Sequence, residues 1–171
     1  EVRGLRVSSS AVREALNQGR MDDAAALLGR PYSISGHVVH GRKLGRELGR
    51  DANRPDGFRT LNLRFAHWKP AASGIFAVRV HGLGLPLAGV ANLGIRPSLD
   101  PQDVNGGRVL LETHCLDWPD ALGPEGAYGK IIRVELLHKL HDERKYDSLE
   151  ALTEGIARDC DDARAWFAAR I

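Results

Sequence analysis

At 171 residues, 43% hydrophobic and 27% charged, the chain has the size of one domain that buries about two thirds of its unfolded surface. No run of about 18 apolar residues occurs and the composition is neither Gly/Pro-dominated nor strongly charged, which excludes a membrane-spanning helix and a collagen-like or disordered chain. The net charge of +2 conceals an asymmetry, with 16 basic and 9 acidic side chains up to Leu111 and 8 and 13 after it, so the first part is suited to an anionic partner.

The run Ser8-Ser9-Ser10 before Ala11-Val12-Arg13-Glu14-Ala15-Leu16 predicts a short helix with Ser10 as N-cap. Val12, Ala15 and Leu16 form its apolar stripe, and Gly19 is its stop. A second short helix covers Met21–Leu28, with Asp22 and Asp23 in the first turn and Gly29-Arg30-Pro31 ending it. From Tyr32 the pattern becomes period two, or short apolar runs between Gly and Pro, and predicts strands over 32–39, 60–65, 75–80, 87–93, 109–116 and 131–137. No helix of ten or more residues separates them, which disfavours parallel βαβ units and favours an antiparallel sheet closed as a barrel. Residues 100–107, with Pro101 and Gly106-Gly107, read as a long hairpin tip or flap. Helical periodicity returns over 148–170, with Leu149, Leu152, Ile156, Cys160, Ala163 and Phe167 on one stripe and Asp147 and Glu150 as a capping box. The expected fold class is mainly β: a six-stranded antiparallel barrel with two short N-terminal helices and a long C-terminal helix.

Three groups of residues could carry chemistry. The stretch from His40 to Arg50 has Gly41, Gly45 and Gly49 four residues apart, interleaved with Arg42, Lys43, Arg46 and Arg50. Such spacing lets backbone N–H groups converge on a di- or triphosphate while the cations add charge, and a solvated glycine turn accounts for it equally well. It is neither a Walker nor a dinucleotide motif, and Gly82-Leu83-Gly84 lacks the third glycine of the latter. Thr60 and Asn62 lie two apart and face the same side of a strand, where a hydroxyl and an amide oxygen can complete the shell of Mg²⁺ or simply cap a turn. Glu112 and His114 share a face of an otherwise apolar strand, and a carboxylate there is paired, exposed on the outer barrel face, or a general base. The pairs His37/His40 and His138/His141 lack a third ligand and read as surface or supporting residues. Cys115 and Cys160 form no C-x-x-C pair, which argues against a disulfide framework or a thiolate zinc site and for a reducing cytoplasm. With Glu1 first, Met21 the sole methionine and no signal-type start, the sequence reads as a piece of a longer polypeptide.

Taken in order, the motifs resemble the riboflavin kinase module of bacterial FAD synthetase, the bifunctional riboflavin kinase and FMN adenylyltransferase. They run from Ser8-Ser9-Ser10-Ala11-Val12-Arg13 through Leu28-Gly29-Arg30-Pro31-Tyr32, Val39-His40-Gly41, Gly45-Arg46 with Leu48-Gly49, and Gly89-Val90-Ala91-Asn92-Leu93-Gly94-Ile95-Arg96-Pro97. Leu111-Glu112-Thr113-His114, Tyr128-Gly129-Lys130 and Glu143 with Lys145-Tyr146 complete the set. The resemblance implies a Greek-key barrel over 30–171, with its C-terminal helix at 148–170, and a helical remnant of the adenylyltransferase module or its linker over 1–29. It implies ATP as co-substrate, Mg²⁺ as cofactor, and riboflavin converted to FMN. Gly41, Arg42, Lys43, Gly45, Arg46 and Gly49 would form the ATP-phosphate loop, with Tyr128 and Gly129 near the nucleotide. Thr60 and Asn62 would hold Mg²⁺ and Glu112 would be the base, while Asn92, Gly94 and Arg96 belong to a capping loop and His141 contacts the flavin. Neither nucleic acid nor membrane is an expected partner; an N-terminal adenylyltransferase module is, in the parent chain. That module's early Gly-rich, His-containing motif is absent from these residues, so kinase activity without FAD synthesis is expected. The sequence departs from the family where residues 50–57 intervene before Phe58-Arg59-Thr60-Leu61-Asn62, where Arg59 replaces the usual Pro, at His141 where Arg is frequent, and at Ser98 where Thr is usual. The competing expectation is a small basic nucleic-acid-binding barrel using Arg42, Lys43, Arg46, Arg50, Arg54, Arg59 and Arg64, against which stands the scarcity of interleaved aromatic residues.

Overall fold

The computed structural model describes residues 8–39, 59–64, 70–96, 108–123 and 126–170. Helix α1 (Ser9–Asn17) begins at Ser8, not Ser10: Ser8 has the extended backbone of an N-cap, and its Oγ accepts a hydrogen bond from the Ala11 amide at 3.1 Å. All three serines can cap, and the first with non-helical backbone takes the role. Helix α2 (Met21–Leu28) ends at Gly29, whose φ of 76° is left-handed and carries the chain out of the helix. Ala15, Leu16, Met21 and Ala24 are buried in the same cluster as the barrel interior, so both short helices close onto the barrel, α2 against its sixth strand.

Six strands form the barrel: β1 (Ser33–Val39), β2 (Arg59–Arg64), β3 (Gly74–His81), β4 (Leu87–Arg96), β5 (Arg108–Cys115) and β6 (Ile131–His141). They close in the order β1-β2-β5-β4-β3-β6, every pairing being antiparallel. β3, β4 and β5 are sequential neighbours and β6 returns beside β3, which is a Greek key. Alternation sets the interior: Val38, Leu61, Leu63, Phe76, Val78, Val80, Ala91, Leu93, Leu111, Ile132, Val134 and Leu136 point inward and are buried. β6 continues to His141, beyond the predicted end at 137. Its backbone keeps pairing with β3 through two register shifts while its polar side chains His138 and Lys139 interrupt the apolar pattern.

A short 3₁₀ turn (Asp120–Leu122) precedes β6. Helix α3 (Leu149–Ala168) is capped by Ser148, whose Oγ accepts from the Ala151 amide at 3.0 Å, in place of the expected Asp147/Glu150 box. Its buried face is Gly155, Asp159 and Ala163, and Leu149, placed on the stripe by periodicity, is 58% exposed. The helix is rotated by two specific contacts: the Tyr146 ring lies against Gly155, and Asp159 pairs with His141. Under it, Ile75, Ala77, Val90 and Ala163 form a second apolar cluster on the outer face of the barrel, with Leu116, Leu140, Trp166 and Phe167 around it. Each large side chain fully buried there contributes about 1.5–3 kcal/mol. Among the described residues, no helix is long and apolar enough to cross a membrane.

Candidate active site

With Leu61, Leu63, Ala91, Leu93, Leu111 and Thr113 turned inward, their neighbours Thr60, Asn62, Asn92, Glu112 and His114 must face out. Registration then brings them together. Glu112 of β5 stands directly opposite Asn62 of β2 on one side and Asn92 of β4 on the other, and His114 stands opposite Thr60 and Val90. Directly opposed residues hold their Cβ atoms about 4.5–5.5 Å apart on one face. The three groups read separately in the sequence thus include two, Thr60/Asn62 and Glu112/His114, that form one polar patch. Asn92 joins them, and the row continues through Ile75 to His141.

The patch is partly sheltered: Thr60, Asn62, Asn92 and Glu112 are half-buried and His114 is 8% exposed. Thr60 Oγ1 and His114 Nδ1 share a hydrogen bond of 2.8 Å. Burial pushes the His114 imidazole down to about 4, so the ring is neutral at physiological pH and offers one donor and one acceptor. Asn92 Oδ1 is buried without a hydrogen-bond partner among the described residues. A sheltered acceptor left unpaired costs about 1–3 kcal/mol, a cost recovered when a ligand hydroxyl or N–H donates to it.

The remaining expected residues occupy several places. Tyr128 and Gly129 lie in the turn before β6, and this turn is fastened to β1, since the Gly129 amide donates to Val38 O at 3.0 Å and the Val38 amide to Lys130 O at 2.9 Å. They therefore sit beside the strand from which the chain leaves toward Gly41. Gly41, Arg42, Lys43, Gly45, Arg46 and Gly49 themselves lie outside the described residues, as do the 50–57 departure, Ser98 and the 100–107 flap. Asn92, Gly94 and Arg96 lie within β4 and pair with β5, so they are strand residues and not the expected capping loop. Gly94 is buried with the Glu143 carboxylate packed against it, which links two of the motifs quoted above. Arg96 ends β4 opposite Arg108. His141 Nδ1 faces the Asp142 carbonyl and Nε2 faces Asp159 Oδ1, both at 2.6 Å, so its ring nitrogens are engaged by the protein. Sequence reasoning missed Asp159. A carboxylate on the buried side of an apolar helix was the available signal, but its partner lies 18 residues earlier on another element.

Thr60 and Asn62 offer hard oxygen donors, and among the described residues no three His, Cys, Asp or Glu side chains gather as a metal cage. This donor set fits Mg²⁺, which binds through few protein oxygens and otherwise keeps waters and substrate phosphates.

A barrel of this topology with an outward row of hydroxyl, amide and carboxylate groups is the frame on which comparisons with known proteins converge. The riboflavin kinase family model, Flavokinase, matches residues 28–167, and the chain belongs to the riboflavin kinase family. It is 42% identical over 165 residues to a bifunctional riboflavin kinase/FMN adenylyltransferase of Escherichia coli (strain K12), covering 96% of this chain and 47% of that protein. The corresponding protein of Haemophilus influenzae is 38% identical, with 95% and 47% covered. The chain thus spans about half the length of the curated relatives it matches. A crystal structure named as a macrolide-efflux protein from Streptococcus pneumoniae superposes with a TM-score of 0.75 at 26% identity, over 97% of this chain and 49% of that one. Riboflavin kinase from Trypanosoma brucei shares the fold, with a TM-score of 0.50 at 19% identity over 81% and 80%.

Proposed function

We propose that this chain transfers the γ-phosphoryl group of ATP to the terminal ribityl hydroxyl of riboflavin, giving FMN and ADP. The observation that carries the reading is the placement of Glu112 between Asn62 and Asn92, next to the Thr60–His114 pair. In the proposed reaction Glu112 accepts the proton of the ribityl hydroxyl, whose oxygen bonds to the γ-phosphorus as the bond to the β–γ bridging oxygen breaks in line and ADP departs. Thr60 and Asn62 hold the metal–nucleotide on the β2 side. Mg²⁺ held by these two oxygens would supply neutralisation of phosphate charge there. Asn92, with its unpaired Oδ1, accepts from the polyol on the β4 side, and Gly94 and Arg96 of the same strand border the flavin there. Gly41 to Gly49, with Arg42, Lys43 and Arg46, cradle the phosphates, and Tyr128-Gly129 borders the nucleotide at the exit of β1. His141 supports the flavin side from β6.

The relatives' names include a second activity. For these 171 residues we propose kinase activity alone, with residues 1–29 derived from the adenylyltransferase module or its linker and that module as the N-terminal partner in the parent chain. Cys115 and Cys160 form no disulfide, which suits a reducing compartment, and the cytoplasm is the compartment proposed for the reaction. The test is to incubate the chain with riboflavin, ATP and Mg²⁺ and to separate the flavins chromatographically. FMN that forms only when ATP and Mg²⁺ are both present is the expected result. Absence of FMN contradicts the reading, and FAD formed from FMN and ATP contradicts the restriction to kinase activity.

A further inference from the structure

His114 has no role of its own in the reaction as written above, and its bond to Thr60 gives it one. A hydroxyl has one hydrogen and two lone-pair sites, and its hydrogen rotates to suit its surroundings. If the Thr60 hydrogen points to the outer face, it meets the phosphates as a donor and the oxygen is poorly presented to a cation. If it points to an acceptor beside it in the sheet, the lone pairs are turned to the outer face. His114 Nδ1, 2.8 Å from Thr60 Oγ1, is such an acceptor.

The ring is held there by the sheet. Thr60 and His114 are directly paired across β2 and β5, while buried Val90 opposes His114 from β4. On the outer face the imidazole therefore lies between Thr60 and Val90, 8% exposed, with Nδ1 on the hydroxyl.

We propose that His114 is a positioning residue for the phosphoryl-transfer site: its Nδ1 takes the Thr60 hydroxyl hydrogen and turns the Oγ1 lone pairs toward a divalent cation carried by the nucleotide. This rests on the kinase reading above, and it requires the tautomer in which the ring hydrogen is on Nε2. Were Nδ1 to carry the hydrogen, it would occupy one Thr60 lone pair and leave the hydroxyl hydrogen on the outer face, so that a cation would find a single lone pair beside that hydrogen. Groups that orient a metal ligand in this way typically affect metal affinity by about 10–100-fold when removed.

Two measurements test it. In protein labelled with ¹⁵N-histidine, long-range ¹H–¹⁵N correlation spectra of the unmodified chain show the Nε2–H pattern for His114, assigned by its disappearance in His114→Asn; an Nδ1–H pattern overturns the proposal. By calorimetry, His114→Leu raises the Mg²⁺ concentration needed for half-maximal ATP binding about 10-fold or more, while the KM for riboflavin stays within about 2-fold of the parent value. His114→Asn, with an amide oxygen available near the Nδ1 position, recovers most of the loss. Folded His114→Leu protein with unaltered Mg²⁺ dependence, or His114→Asn no better than His114→Leu, overturns the proposal. If His114→Leu does not fold, the tautomer of the parent chain decides. Failure of the parent chain to make FMN refutes the kinase reading and is read separately from both results.

Discussion

Burying His114 makes folding stability depend on pH within a defined window. The unfolded chain takes up a proton on this imidazole below its ordinary value of 6.5, whereas burial lowers the folded value to about 4. Between these values the unfolded state binds more protons, so stability rises with pH: the contribution is fully present above pH 6.5 and is lost as pH falls toward 4. At about 1.4 kcal/mol per pH unit, the full loss is about 3 kcal/mol. His138, stacked on Trp166, is lowered by burial and then by Arg170, and acts in the same direction from the same upper limit. The Asp142 carboxyl, lowered by its bond to Lys139, titrates below this window. The contribution of His114 is therefore the difference between the parent chain and His114→Asn, measured by urea unfolding from pH 7 to 4.5 without nucleotide or divalent cation. The parent loses stability more steeply, with the gap narrowing by about 2–3 kcal/mol over the window. Parallel curves refute the reasoning.

Three further outcomes follow from single positions. Thr60→Ala raises the Mg²⁺–ATP concentration required for turnover while leaving the riboflavin KM near its parent value, and unchanged Mg²⁺ dependence in steady-state kinetics removes Thr60 from the site. Thr113 is fully buried inside the barrel, with an Oγ1 that has no partner among the described residues. Thr113→Val, nearly the same shape, therefore stabilises by about 1 kcal/mol and raises Tm by about 2–4 °C; a fall in Tm contradicts the account of that hydroxyl. At Gly155 the Tyr146 ring occupies the space of a Cβ. The helix-propensity gain of about 1 kcal/mol in Gly155→Ala is thus outweighed by a packing cost of about 1–3 kcal/mol, and a higher Tm for the variant shows that the contact was misjudged.

The parts of the fold that depend on local order were legible in the chain. Period two put Thr60 and Asn62 on one face of a strand, and the lack of long helices between strands pointed to an antiparallel barrel. Which strands meet was a different matter. The Asn62–Glu112 and Thr60–His114 pairs join residues about fifty positions apart and exist only because β2 lies beside β5 in the closed order. On residue types alone, each group could have been a turn cap or a surface carboxylate. The resemblance to riboflavin kinases joined them before the register did. Local misreadings had local causes: three consecutive serines compete for one cap, and Asp159 turns α3 because His141 holds it. A buried acid runs against the apolar stripe until its partner is seen. Gly94 shows the same limit, since the group packed against it is the Glu143 carboxylate, nearly fifty residues later.

The most direct test of the account is a side-by-side measurement of FMN formation and ATP binding by the parent chain and Glu112→Gln. The carboxamide keeps the size and polarity of the carboxylate but cannot take the ribityl proton, so turnover should fall by about two to four orders of magnitude. Mg²⁺-dependent ATP binding, which the proposed reaction assigns to Thr60 and Asn62 on the neighbouring strand, should remain close to the parent value. Glu112→Gln that makes FMN at nearly the parent rate contradicts the assignment of Glu112 as the base and, with it, the reading of the β2–β5–β4 patch as the place where phosphoryl transfer occurs.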